Sequence, residues 1–186
     1  DILSTLKKYK VNIISSGGTY KKIINLGFNC KEVSEYTGSP EILDGRVKTL
    51  HPKIFGSILG DPTKFKHRSQ MTKHKLEKFD LVIVNLYPFE NVIKKTKNLS
   101  DCIENIDVGG PSMIRAAAKN YLYTAVVTDL NDYDEVIEQL NKYGGISLEF
   151  RKILAHKAFI RTMEYDAIIS NWIQEKLLEG SEENLV

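Results

Sequence analysis

The chain has 186 residues, 42% of them hydrophobic and 27% charged, with 26 Lys and Arg against 24 Asp and Glu. That length suits one compact domain, and the apolar share is enough to build a core, which excludes disorder as the overall state. A net charge of +2 excludes nucleic-acid binding through bulk charge, so any grip on phosphate must come from local placement.

The chain opens at Asp1 in what reads as the middle of a helix over 2–9 and closes in a polar tail over 182–186, so a piece of a longer protein is expected. Continuous apolar runs at 11–14, 81–84 and 124–127 predict strands covered on both faces. Weaker strand signals lie at 31–34 and 54–59. A helical pattern over 19–26 stops at Gly27, a good residue for a helix C-terminus. Residues 40–52 hold turn formers and charges between two core elements. Further helices are predicted over 72–78, over 111–120 with Pro111 at its opening, over 132–143 ahead of Gly144 and Gly145, and over 147–176. The apolar stripe of that last helix would be Phe150, Leu154, Phe159, Met163, Tyr165, Ile168, Ile169 and Trp172. Strands alternating with helices predict an α/β domain with a mainly parallel sheet.

No apolar stretch approaches the roughly 18–20 residues that cross a bilayer, and no signal-peptide pattern opens the chain. Cys30 and Cys102 are too few for a disulfide framework, so a reducing, cytoplasmic setting is expected. The spacing of His51, His67, His74 and His156 gives no metal motif. The basic stretch from Lys64 to Lys78 reads as a solvated face, since it lacks the interleaved aromatics of a nucleic-acid groove.

In an open parallel sheet, ligands gather beyond the carboxyl ends of strands. Four segments stand there. Ser16-Gly17-Gly18-Thr19 follows the first strand and opens a helix, which suits either an anion cradle or a tight turn capped by Thr19. Asp44 to Pro52 contains Arg46-Val47-Lys48-Thr49, with two cations one residue apart, able to grip phosphate or to lie solvated in a loop. His51 beside Pro52 reads as structural. Asn85-Leu86-Tyr87-Pro88-Phe89 offers an amide and a phenol, or simply caps the core. Asp107-Val108-Gly109-Gly110-Pro111 precedes a helix bearing Arg115 and Lys119 on one face, where like charges repel unless an anion or carboxylate answers them.

Together with Ala155-His156-Lys157-Ala158-Phe159 and Tyr165-Asp166, these segments resemble the IMP cyclohydrolase domain of the bifunctional purine biosynthesis enzymes over nearly the whole chain. The resemblance implies a methylglyoxal-synthase-like three-layer α/β domain with a mainly parallel sheet and a long C-terminal helix. Residues 1–186 would form that one domain, lacking its first strand, with the formyltransferase domain absent. The implied reaction closes 5-formamidoimidazole-4-carboxamide ribonucleotide to IMP with loss of water.

By the same resemblance Ser16, Gly17, Gly18 and Thr19 would hold the 5′-phosphate, and Arg46, Val47, Lys48 and Thr49 the nucleotide. Val84, Asn85, Tyr87, Asp107, Val108 and Lys119 would line the ring-closing end. The catalytic set would be Lys119 as general acid/base, Lys48 and Tyr87 as polarising donors and Asp107 as partner. No metal or cofactor is implied for ring closure; 10-formyltetrahydrofolate would serve the absent formyltransferase domain. A nucleotide substrate and a homodimer are implied, with neither nucleic acid nor membrane as partner.

The chain departs from the family pattern at Phe55 and Ser57, where a His and a Gly are usual, and over 60–68. Rival readings are a methylglyoxal-synthase-type lyase, against which Asn85 to Phe89 speaks, a regulatory nucleotide-binding module, and a plain interaction domain. A regulatory module would leave Lys48, Tyr87 and Lys119 scattered.

Overall fold

The computed structural model describes residues 1–178. Its strands are short and parallel: β1 (Ile14–Ser15) pairs with β2 (Lys31–Glu32), and β3 (Leu81–Ile83) pairs with β4 (Ala125–Val127). The second ladder sets Leu81 against Ala125, Val82 against Val126 and Ile83 against Val127.

Helices fill the intervals. They are α1 (Ile2–Lys8), α2 (Gly17–Asn25), α3 (Val33–Thr37), α4 (Pro52–Leu59), α5 (Phe65–Lys73), α6 (Phe89–Lys95), α7 (Leu99–Glu104), α8 (Gly109–Lys119), α9 (Tyr133–Tyr143) and α10 (Leu148–Ile173). Single 3-10 turns cover Leu43–Gly45 and Leu130–Asp132, and a π turn follows α10 at Gln174–Leu178.

Alternation along the strands divides the core. Val82 and Val126 enter one cluster with Ile54 and Ile58 of α4, Ile114 and Ala117 of α8, and Tyr165 and Trp172 of α10. Ala125 and Val127 enter the other, with Leu6 of α1, Val136 and Leu140 of α9, and Phe150 and Leu154 of α10. Successive strand side chains point to opposite faces, so two helical layers sandwich the β3–β4 ladder in the expected three-layer arrangement, and β1–β2 forms a separate two-stranded parallel sheet. The long α10 crosses from one cluster to the other.

The strands at 81–84 and 124–127 exist in shortened form, while the one expected at 11–14 lies later, at Ile14–Ser15, and shares only Ile14 with the apolar run. Residues 54–59 are helical, not extended. Pro52 occupies the first turn of α4, the His51 ring accepts the Lys53 N–H, and Ile54 and Ile58 are buried one turn apart. β-Branched content suggested a strand, but cap and i,i+4 spacing decide the matter. Ser57 faces inward, where its hydroxyl meets that of Tyr36 at 2.9 Å.

The helix expected over 72–78 lies earlier, as α5, and ends where Lys75 takes a φ of 51°. It buries no residue, as suits a solvated basic face. Within α10 the buried line runs through Phe150, Leu154, Ala158, Thr162, Tyr165 and Trp172. Phe159 and Met163 stand outside that line, exposed, because each falls one position beyond a buried residue and so turns away from the core. The tail from 182 onward lies outside the described residues. Among the described residues no helix is long and apolar enough to cross a membrane.

Candidate functional site

The chain leaves β1 through Ser16, extended at φ −134°, and enters α2 through Gly17 at φ 55°. A left-handed φ is inexpensive only for glycine, so Gly17 permits this sharp entry. Ser16, not Thr19, holds the cap position, and its side chain makes no capping bond. The first turn of α2 carries no acidic residue, and a side chain at Gly18 would meet nothing within 4 Å. The amides that open α2 take no side-chain cap from Ser16 and stand beside a small hydroxyl-bearing turn, an anion-compatible arrangement.

The segment over 40–52 brings one cation, Lys48, to that turn. Leu43, Asp44 and Gly45 take successive positive φ values of 51°, 51° and 85°. For Leu43 this is a strained conformation, held by its surroundings. The bend folds Lys48 back over Gly45, where an added Cβ would lie 2.5 Å from Lys48 Cε and 2.6 Å from Glu41 Oε1. Lys48 Nζ pairs with Glu41 at 3.0 Å and lies 3.8 Å from where a Cβ on Gly17 would be. The phosphate-type turn and the Arg-Val-Lys-Thr segment thus meet at Lys48.

Arg46 forms a two-point contact with Glu104, its Nε 3.1 Å from Oε1. The hydrogen bond and the charge raise the Arg46 pKa and lower that of Glu104. Lys48, Val47, Leu50, His51, Glu41 and Ser39 border a cavity of about 200 Å³. His51 is structural there. Its Nδ1 accepts the Lys53 amide, so in the neutral ring Nε2 carries the proton and donates to Ser39 Oγ at 3.1 Å. That tautomer cannot serve as base for Ser39.

Thr49 carries the segment to its third partner. A Cβ on Gly109 would lie 2.5 Å from Thr49 Oγ1, and one on Gly110 would collide with the Asp107 carboxylate and come 2.8 Å from Leu86. Asp107 Oδ1 accepts the Gly110 amide at 3.0 Å, which fixes its carboxylate at the start of α8. The Asp107 amide donates to the phenol of Tyr165 on α10 at 2.8 Å. Tyr165 is 3% exposed, and burial pushes its pKa up, so the phenol stays neutral. Val108 is exposed beside this loop.

Ser16, Gly17, Gly18, Thr19, Val47, Lys48, Thr49, Asp107 and Val108 are thus linked through neighbouring contacts along one stretch of the molecule. Other expected residues are not joined to them. Tyr87 is exposed, and its hydroxyl accepts from Lys95 at 2.9 Å. The Asn85 amide turns to Tyr133 on α9 at 2.8 Å. The Val84 amide continues the β3–β4 ladder by donating to Val127 at 3.0 Å. Lys119 is the exposed last residue of α8, whose 11 residues put its ends about 15 Å apart. Arg115, its neighbour on the helix, lies over the Phe159 ring at 5.6 Å.

Glu41, Glu104 and Tyr165 escaped the sequence-based site. Tyr165 stood within a stretch quoted for the resemblance, but nothing in the sequence pairs it with Asp107, 58 positions earlier. Among the described residues no cluster of three or more His, Cys, Asp or Glu side chains could hold a metal.

Comparison with known proteins fits this layout. Residues 1–112 match the MGS-like domain and residues 117–185 match the AICARFT/IMPCHase bienzyme family. The bifunctional purine biosynthesis protein PurH of Mesorhizobium japonicum is 49% identical over 95% of this chain and 33% of its own length. That of Bartonella tribocorum is 50% identical over 91% of this chain and 32% of its own. The chain thus spans about a third of the length of these curated relatives. The crystal structure of ForH superposes with a TM-score of 0.80 at 30% identity, covering 91% of this chain and 89% of that one. With the first match spanning more than half its length and running from α1 to the start of α8, the chain belongs to the MGS-like domain family.

Proposed function

We propose that this chain is the IMP cyclohydrolase part of a bifunctional purine biosynthesis enzyme and closes 5-formamidoimidazole-4-carboxamide ribonucleotide to IMP. The observation that carries this reading is the bridge made by residues 46–49: Lys48 lies against the Gly17 turn while Thr49 lies against Gly109 beside Asp107. One short segment thereby spans a phosphate-binding end and a carboxylate end. The similarity to the PurH proteins supports the same substrate class.

In this reading the turn over 16–19 and Lys48 take the 5′-phosphate, with Arg46 adding charge once it leaves Glu104. Ring closure forms a bond from the carboxamide nitrogen to the formyl carbon. The carboxamide nitrogen loses a proton and the formyl oxygen gains one; the resulting hydroxyl then takes a second proton and leaves as water, as the formamide nitrogen gives up its own proton and forms the C=N bond of the new ring. Asp107, held by the Gly110 amide, accepts or orients the nitrogen proton, and cationic donors stabilise charge on oxygen. Folding one substrate so that its two ends touch supplies part of the rate through orientation. Ring closure needs no cofactor; 10-formyltetrahydrofolate belongs to the formyltransferase activity of a longer parent. The parent acts as a cytoplasmic homodimer on small nucleotides.

Lys119 is the residue that separates this reading from its rival. Its place at the far end of α8, with Tyr87 turned to Lys95, favours as a second reading a regulatory module that binds nucleotide without turnover. Incubation of the chain with the formylated ribonucleotide, followed by IMP absorbance, tests the two. Turnover supports the enzyme, whereas saturable binding without IMP formation overturns it in favour of the module. If turnover is seen, Lys119→Ala is expected to lower it by about 10²–10³ when Lys119 handles the proton. Near-normal turnover in that variant transfers the role to Lys48 and Asp107.

A further inference from the structure

A second cavity, of about 440 Å³, opens between α10 and the loops that follow β3 and β4. Its size falls within the range of small-molecule sites. Asn85 and Leu86 border it after β3 and Thr128 and Asp129 after β4, the carboxyl ends where parallel sheets hold ligands. From α10 come Lys157, Arg161 and Glu164. None of Thr128, Asp129, Lys157, Arg161 or Glu164 belongs to the Lys48–Asp107 group. The Asn85 amide, bonded to Tyr133, is oriented on the α9 side.

Lys157 and Arg161 are one turn apart on the same helix, a like-charge pairing that costs stability unless an anion answers it. Lys157 is held by Asp132 Oδ1, and Asp132 is 6% exposed. Its other oxygen, Oδ2, is buried without a hydrogen-bond partner. Burying a carboxylate is expensive, so this is a costly way to anchor a surface lysine. Arg161 makes only a long contact, 3.4 Å, to the Leu86 carbonyl, and leaves most of its donors unused. Glu164 forms no ion pair among the described residues.

We propose that this cavity is a second small-molecule site, separate from the phosphate turn, for a phosphomonoester that bears vicinal hydroxyls, such as a sugar phosphate or the ribose phosphate of a nucleotide. Lys157 and Arg161 take the phosphoryl oxygens, the arginine through its planar fork. Asp129 and Glu164 accept hydroxyls, and Thr128 contributes its own. With Asp132 held against Lys157, three carboxylates stand against two cations, which disfavours a polyanion and suits a ligand with one anionic end, met by the Arg161 fork, and one hydroxyl-bearing end.

The inference goes beyond the proposed cyclisation and is tested without it. Ribose 5-phosphate is titrated calorimetrically into the chain carrying Lys48→Ala, which weakens the other site. One saturable site is expected to remain, to weaken at least tenfold with Arg161→Ala, and to prefer ribose 5-phosphate over inorganic phosphate. Glu164→Gln is expected to weaken ribose 5-phosphate while leaving inorganic phosphate unchanged. Lys157→Ala strands the buried Asp132 and tests folding more than binding, so Arg161→Ala carries the decision. Unchanged affinity in Arg161→Ala, or loss of all binding with Lys48→Ala alone, overturns the site. Equal affinity for inorganic phosphate overturns the hydroxyl-bearing ligand class.

Discussion

Lys48 Nζ stands 3.8 Å from the point where a side chain on Gly17 would begin, although 31 positions separate the two residues in sequence. The contact brings two separately ambiguous motifs side by side. Lys48 is held there by Glu41 and by the left-handed bend at Gly45.

Lys48→Ala is expected to weaken nucleotide monophosphate binding at least tenfold and to leave thermal stability nearly unchanged, because the Lys48–Glu41 pair is partly solvated. Calorimetric titration beside a melting curve checks both halves. A large loss of stability would mean that Lys48 acts as a structural tie.

Glu104→Gln releases Arg46 from its carboxylate without changing side-chain volume. Affinity for a phosphate ligand is expected to rise a few-fold at low salt, and the gain to shrink as ionic strength increases. No gain at low salt would place Arg46 outside the binding surface.

Gly110→Ala drives a methyl group into Asp107 and Leu86 and is expected to destabilise the chain by about 1–3 kcal/mol. Gly144→Ala, at φ 67° with nothing within 4 Å, strains only the backbone and leaves the site intact. Urea denaturation ranks the two for stability, and nucleotide binding is expected to fall in the first alone.

Tyr165→Phe keeps the buried ring and removes the acceptor of the Asp107 amide. If the chain turns over, kcat is expected to fall at least tenfold with a smaller change in KM. The pH sign follows from the raised Tyr165 pKa, caused first by burial. The folded state then holds the phenolic proton more tightly than the unfolded state. Its contribution is flat below the unfolded tyrosine value of about 10 and declines as pH rises through the folded value. Chemical denaturation between pH 8 and 11 should show a steeper decline for the parent than for Tyr165→Phe; identical slopes would contradict the shift.

The strands at 81–84 and 124–127 were legible because both faces are covered, which leaves continuous apolar runs. The 54–59 segment was not, because Ile-Phe-Gly-Ser-Ile-Leu has strand composition and helical spacing at once. Its fate rests on the His51–Pro52 start and on burial of Ile54 and Ile58 against α8. Phe159 and Met163 were misplaced on the buried stripe of α10 for a related reason. A helix that is apolar around much of its circumference does not declare which face meets the core.

Composition and motif order by themselves determined an α/β domain, a glycine turn suited to phosphate, and a short list of polar residues beyond strand ends. Tertiary structure alone decided which of them meet. Lys48 reaches the turn, and Thr49 reaches Gly109 and the Asp107 loop, whereas Lys119 is carried a helix length away and Asn85 turns to Tyr133. The physical reason is range. Hydrophobic periodicity and turn chemistry act over a few residues, but the approach of two side chains depends on how whole helices pack and how a strained bend such as Leu43–Gly45 redirects the chain.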